Sequence, residues 1–187
     1  MTKDAIPRLR YEALDPALQA FLKPTVDRLG YLGEFFQVAG HVDGAVPAFM
    51  QYTGAVKTPL ADAHNEILAL TVCRMLEADY EMIQHERLSR RLGFTLEWIA
   101  AAEGRDGSHP SSLGDDERAL QALAQAAIAS HGLRCGPELQ MVVSLLGHQR
   151  AVAAMMQIAR FAGIAMMCNA FALELPVPSV FDEVPNP

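Results

Sequence analysis

The sequence predicts an all-α protein, and three observations predict it. Apolar residues recur at helical spacing along most of the chain. No segment shows the strict alternation of a strand, and no two segments are joined as a hairpin. Helix start and stop residues punctuate the apolar runs at regular intervals, with Asp15–Pro16 and Thr95 at starts and Gly30, Gly93 and Gly104 at ends.

Taken in order, "DPALQAFLKPTVDRLG" opens with Asp15 as N-cap and Pro16 at the first helical position, and it closes at Gly30. Pro24, lacking an N–H, should kink it. A second helix is expected around residues 31–39, and "DGAVPAFMQYTGAV" starts a third after Asp43. "DAHNEILALTVCRMLE" is apolar almost all round, so it should be the central helix, covered on most sides, with Glu66 early in it. A break near Glu77–Asp79 leads into a helix ending at Gly93, and Thr95 caps a short helix over "LEWIAAAE" that stops at Gly104. The turn-rich stretch 104–114 reads as a surface loop. Only 73 residues follow Gly114, and the apolar faces of their three helices need partners earlier in the chain, so residues 1–187 form a single domain. Those helices are "DDERALQALAQAAIASHG", "GPELQMVVSLLG" and a long Met-rich one, before an extended proline-rich tail.

Composition narrows the function classes. Hydrophobic residues make up 51% of the chain and charged residues 20%, which excludes a disordered chain. A net charge of −7 and a pI near 5.3 argue against nucleic acid, which calls for a basic patch. The run "AVAAMMQIARFAGIAMMCNAFALEL" is long enough to span a bilayer, but Arg160 sits at its middle, so it reads as a buried helix and no membrane is expected. The first residues contain no apolar signal segment, and a cytoplasmic location is expected. Cys73, Cys135 and Cys168 are odd in number, widely spaced and free of any C-x-x-C, which fits small buried residues of a reducing compartment.

The chemistry concentrates in "ADYEMIQHERLSRRLGF", residues 78–94. At about 100° per residue, Glu81, His85, Leu88 and Leu92 share one stripe of the helix. Two ionisable groups on an inward stripe need partners, because burial without them costs on the order of 1–3 kcal/mol or more. This face therefore holds either a structural polar network or a site.

Two antiparallel helices, with an acid early in one and E-x-x-x-H on the next, resemble the carboxymuconolactone decarboxylase superfamily, which includes the AhpD-like alkylhydroperoxidases. The family pattern is an acid followed after twelve residues by C-x-x-C-x-x-x-H. Here Glu66 plus twelve is Ala78, "ADYE" stands where C-x-x-C would, and His85 lies four beyond Glu81. The spacing agrees while both thiols are missing, and "DYE" is common in the cysteine-poor branch. "TPLADAHNEILAL", "HERLSRRLGFTLEWIAA" and "FAGIAMMCNAFALELP" resemble the segments around that core, whereas residues 105–150 align loosely. The resemblance implies an AhpD-like helical bundle with a central antiparallel helix pair.

In the AhpD-like proteins the resemblance implies a proton relay that activates a low-pKa cysteine. Neither Ala78 nor Glu81 can supply a thiolate. The decarboxylase branch needs acid/base and carboxylate-binding groups instead. The expected catalytic groups are His85 as proton carrier, Glu81 as its orienting partner and Glu66 as a second acid, with the imidazole titrating near neutrality. Tyr80, His64 and Cys73 are the expected substrate contacts, although Tyr80 points nearly opposite Glu81 on the wheel. The substrate implied by the resemblance is a small organic acid or lactone, and no cofactor is expected. A redox role through Cys73 and a catalytically inactive oligomeric scaffold remain as alternatives. A metal is not expected, since di-iron bundles use E-x-x-H twice and "EMIQH" is one residue longer. Met141, Met155, Met156, Met166 and Met167 add to an apolar surface larger than one small domain hides, so a dimer-based homo-oligomer is expected.

Overall fold

The computed structural model describes residues 5–42, 44–105 and 107–182. Every regular element among them is helical. The Asp15 carboxylate accepts hydrogen bonds from the Ala17 and Leu18 N–H groups and starts α1 (Pro16–Leu29), which ends at Gly30 with φ 78°. Pro24 is carried inside this element. Next come α2 (Glu34–Ala39) and α3 (Ala45–Lys57). Asp43, the expected start of the third helix, lies outside the described residues.

Central α4 (Asp62–Met75) has ten consecutive buried residues, His64–Cys73. It packs against α5, α6, α7 and α8, which explains why no polar face was visible in its sequence. The chain reverses through Leu76–Ala78, where Glu77 adopts φ 52° and the Ala78 N–H bonds to the Cys73 carbonyl. This tight connection lays α5 (Asp79–Arg91) alongside α4.

The Thr95 hydroxyl caps α6 (Leu96–Glu103) by accepting from the Trp98 N–H, and Gly104 closes the helix at φ 65°. A loop containing a short 3₁₀ turn leads to α7 (Asp115–Ser130). The last two expected helices form one element, α8 (Gly136–Ala170), interrupted at Gly147, whose φ 81° and ψ 170° are non-helical. By length and composition α8 is long and apolar enough to cross a membrane, and 56% of its most apolar stretch is buried inside the protein. Residues 171–182 return across the bundle, and the amide and hydroxyl of Val180 and Ser179 reach Glu86 on α5.

Candidate functional site

The turn at Glu77 decides the site. With α4 and α5 antiparallel, Glu66 faces the stripe that carries Glu81 and His85. His85 Nδ1 lies 2.8 Å from Glu66 Oε2, and His85 Nε2 lies 3.6 Å from Glu81 Oε2. The Glu66 side chain is 1% exposed and the His85 side chain 16%. Ser89, one turn beyond His85, donates its hydroxyl to the same Glu66 oxygen at 3.4 Å. Gln84 donates to Glu81 Oε1 at 3.4 Å. The edge of the His85 ring meets Phe161 of α8, with centroids 5.0 Å apart and planes at 86°.

Burial alone would depress the imidazolium. The charge and hydrogen bond of Glu66, with the nearby carboxylate of Glu81, outweigh it and raise His85 to about 9. This departs from the expectation of a near-neutral histidine. Two carboxylates, one of them sealed, hold the ring as an imidazolium at neutral pH. His85 is therefore set up as a proton donor, with Glu66 retaining the Nδ1 proton and the Nε2 proton turned toward Glu81. The two ring nitrogens face different carboxylates, so the trio's donor atoms do not converge on one point as ligands of a single ion would.

Three other expected contacts fare differently. Tyr80 is 5% exposed and packs in a cluster with Val38, Ile164, Cys168 and Leu173 on the side of α2. Its hydroxyl accepts from the Phe35 N–H at 3.3 Å, and a Cβ at Gly33 would sit 2.9 Å from that hydroxyl, so glycine lets α2 approach. Tyr80 serves this packing with its hydroxyl at α2, while remaining within range of the Glu81 charge. His64 pairs through Nε2 with Asp116 Oδ2 of α7 at 2.9 Å. Two residues of helix place it some 200° around α4 from Glu66, so it holds α4 to α7 and does not rim the site. Cys73 does border the site, within reach of the charges of Glu81 and Glu66, but its thiol is completely buried. Burial, then the Glu81 charge, pushes it well above the ordinary thiol value. Cys168 is buried as well, and burial followed by Glu81 raises it too.

Sequence reasoning placed Arg160 in a buried helix but gave it no role. It is 9% exposed, and its guanidinium stacks on the Phe161 ring at 3.8 Å. Its Nε donates to Gln157 Oε1 at 2.6 Å, while Gln157 Nε2 donates to Asn65 Oδ1 at 2.5 Å. Asn65 is anchored in turn on the Leu60 and Ala61 carbonyls at 3.3 and 3.0 Å. The available signal was a charge inside an apolar run, which excludes free solvation and demands a partner. Which helix it faced was not visible in one dimension.

Neither a family model nor a curated protein matches the chain. Solved structures do. A peroxidase-related protein with the alkylhydroperoxidase AhpD core, from Ralstonia eutropha, superposes with a TM-score of 0.74 at 16% identity, covering 90% of each chain. The debrominase Bmp8, solved with 2,3,4-tribromopyrrole, gives 0.72 at 16% identity, over 88% of this chain and 90% of that one. A protein of unknown function from Agrobacterium tumefaciens, linked by name to AhpD and antioxidant defence, gives 0.66 at 19% identity, over 75% of this chain and 96% of that one. The chain has the AhpD-like helical fold.

Proposed function

We propose that this protein is a thiol-independent member of the carboxymuconolactone decarboxylase and AhpD-like superfamily, a lyase-type acid/base enzyme acting on a small organic acid or lactone. The observation that carries the reading is the His85 ring held between the Glu66 and Glu81 carboxylates, 2.8 and 3.6 Å from its two nitrogens. Ala78 and Glu81 occupy the positions where the resemblance puts cysteines. In a decarboxylation the carbon–carboxylate bond breaks, carbon dioxide leaves, and the electron pair stays on the substrate carbon. His85 Nε2–H delivers a proton to that carbon. Glu66 keeps the Nδ1 proton and fixes the ring, and Glu81 stabilises the charged ring before transfer. A proton from water restores the imidazolium.

A peroxidase-like reading requires a thiolate, and burial opposes one at both Cys73 and Cys168. The deciding experiment is a thermal-shift screen of small organic acids, lactones and hydroperoxides on the wild type, Glu81→Gln and His85→Ala. Acids or lactones that stabilise the wild type and are turned over with loss of carbon dioxide, with turnover abolished in His85→Ala, support the reading. Turnover indifferent to both substitutions overturns it.

Self-association belongs to the same proposal. Met141 and Leu145 before the break in α8, and Val152, Met156 and Met166 after it, are exposed apolar side chains on one element. A dimer or larger assembly is expected by light scattering, and a stable monomer at micromolar concentration refutes it.

A further inference from the structure

Arg160 is a cation placed where the protein provides no counter-ion at hydrogen-bonding distance. Its Nε is taken by Gln157 and one face of its guanidinium by Phe161. The terminal nitrogens Nη1 and Nη2 make no hydrogen bond or ion pair with any described residue. Nor do they belong to the buried polar atoms left sealed without a partner, so they keep a path to solvent. The acids nearby are committed elsewhere, Glu66 to His85 and Ser89, and Glu81 to His85 and Gln84. Both still lie within range for their charges to act on the guanidinium, as do Cys73 and Tyr52.

The side chain is also held still. The relay from Asn65 through Gln157 sets the direction of Nε, and the Phe161 ring sets the plane. The same ring touches His85 at its edge, so guanidinium and imidazolium flank one aromatic side chain. A rigid, nine-tenths buried fork with two free N–H-bearing nitrogens matches a planar anion with two oxygens, and the match is bidentate. A lysine would offer charge without the fork.

We propose that Arg160 is the subsite for a carboxylate of the substrate, so that the enzyme acts on small molecules bearing a carboxylate separate from the reacting carbon. This deepens, and rests on, the acid/base reading of Glu66, Glu81 and His85. The anchored carboxylate is not the group lost, because an ion pair with Arg160 stabilises it in place. It orients the molecule so that its reactive end meets His85 beside the Phe161 ring. Two positively charged groups flanking the Phe161 ring, beside two carboxylates, select an anion over a neutral analogue.

The experiment compares benzoate and glutarate with benzamide and glutaramide, by thermal shift and titration calorimetry, on the wild-type protein, Arg160→Met, Arg160→Lys and His85→Ala. The expected result is that at least one carboxylate binds the wild type tenfold or more tightly than its amide. That preference disappears in Arg160→Met and is weakened in Arg160→Lys. Equal affinity for acid and amide, failure of both carboxylates to bind, or an undiminished preference in Arg160→Met overturns the subsite. Should Arg160→Met fail to fold, the full preference persisting in Arg160→Lys, which keeps the charge and removes the fork, also overturns the bidentate assignment. The two readings separate in His85→Ala. Carboxylate binding that persists there leaves the subsite standing whatever happens to proton transfer, and proton transfer that survives there defeats the acid/base reading alone.

Discussion

Neighbouring residues of α5, His85 and Glu86, enter two buried charge clusters of opposite character. On one side His85 is flanked by Glu66 and Glu81, with the unpaired edge of Arg160 close by. On the other, Glu86 accepts from the Ser179 hydroxyl at 2.6 Å and the Val180 N–H at 3.0 Å, with Arg105 Nη2 3.6 Å from its second oxygen. Arg105 also pairs through Nε with Glu103, and its guanidinium covers the Phe181 ring at 3.8 Å. Both clusters combine carboxylates with a cation. The second ties the returning tail to α5 and α6 through the two bonds to one Glu86 oxygen and the Arg105–Glu103 pair, and it leaves the other oxygens of Glu86 and Glu103 buried without a hydrogen-bond partner. The first leaves two nitrogens of Arg160 unspent and a proton on a histidine. Burial of charge thus does not by itself mark a site.

The largest expected difference is in stability. Glu86→Ala should destabilise the protein by about 3–5 kcal/mol, because it empties a fully buried position and leaves the Ser179 hydroxyl and the Val180 N–H without their acceptor. Chemical denaturation measures this, and a loss under about 1 kcal/mol would remove the distinction between clasp and site.

The clusters should also titrate in successive windows. His85 is raised from 6.5 to about 9, so its contribution is complete below pH 6.5 and is lost as pH climbs through 9. Burial pushes the Glu103 carboxyl up, the Arg105 hydrogen bond pulls it back, and the charge of Glu86 contributes to leaving it at about 7, from 4.5. An acid raised in this way stabilises the fold below pH 4.5 and loses that contribution by pH 7. Each window corresponds to on the order of 3 kcal/mol. His85→Gln should flatten the upper window and Glu103→Gln the lower in stability curves from pH 4 to 10. A curve that rises between pH 7 and 9 in the wild type would contradict the assignment for His85.

A smaller effect is expected for Glu81→Gln. Its side chain is 12% exposed and keeps a hydrogen-bonding shape, so stability should change by about 1 kcal/mol or less while activity is lost. A large loss of stability with activity intact would make this cluster a second clasp. The smallest effect is expected with peroxides, where a dithiol reductant should support no turnover. A robust rate abolished by Cys73→Ser would return the first cluster to thiol chemistry.

The helices themselves were legible because their signals are local. Asp15, Thr95, Gly30, Gly93 and Gly104 act on the backbone groups of their own first or last turns, and each appears where the chain starts or stops a helix. The spacing of Glu66, Glu81 and His85 was legible for a related reason. A short turn between two helices leaves few ways to pack them, so one face of α5 had to meet one face of α4. The expected separation of the last two helices survives as the break at Gly147, where a positive φ suits glycine.

What sequence alone determined is therefore the all-α class, most helix ends and the juxtaposition of the trio, all consequences of interactions spanning one turn or one tight connection. Tertiary structure decided the rest. It assigned Tyr80 to α2 and His64 to Asp116, brought Arg160 across from α8 some 80 residues along the chain, and turned His85 from a near-neutral relay into an imidazolium. The reason is physical. Helical periodicity tells which residues face inward, but a charge inside the protein takes its state from whichever carboxylates, rings and amides other helices deliver, and that depends on packing between segments distant in sequence.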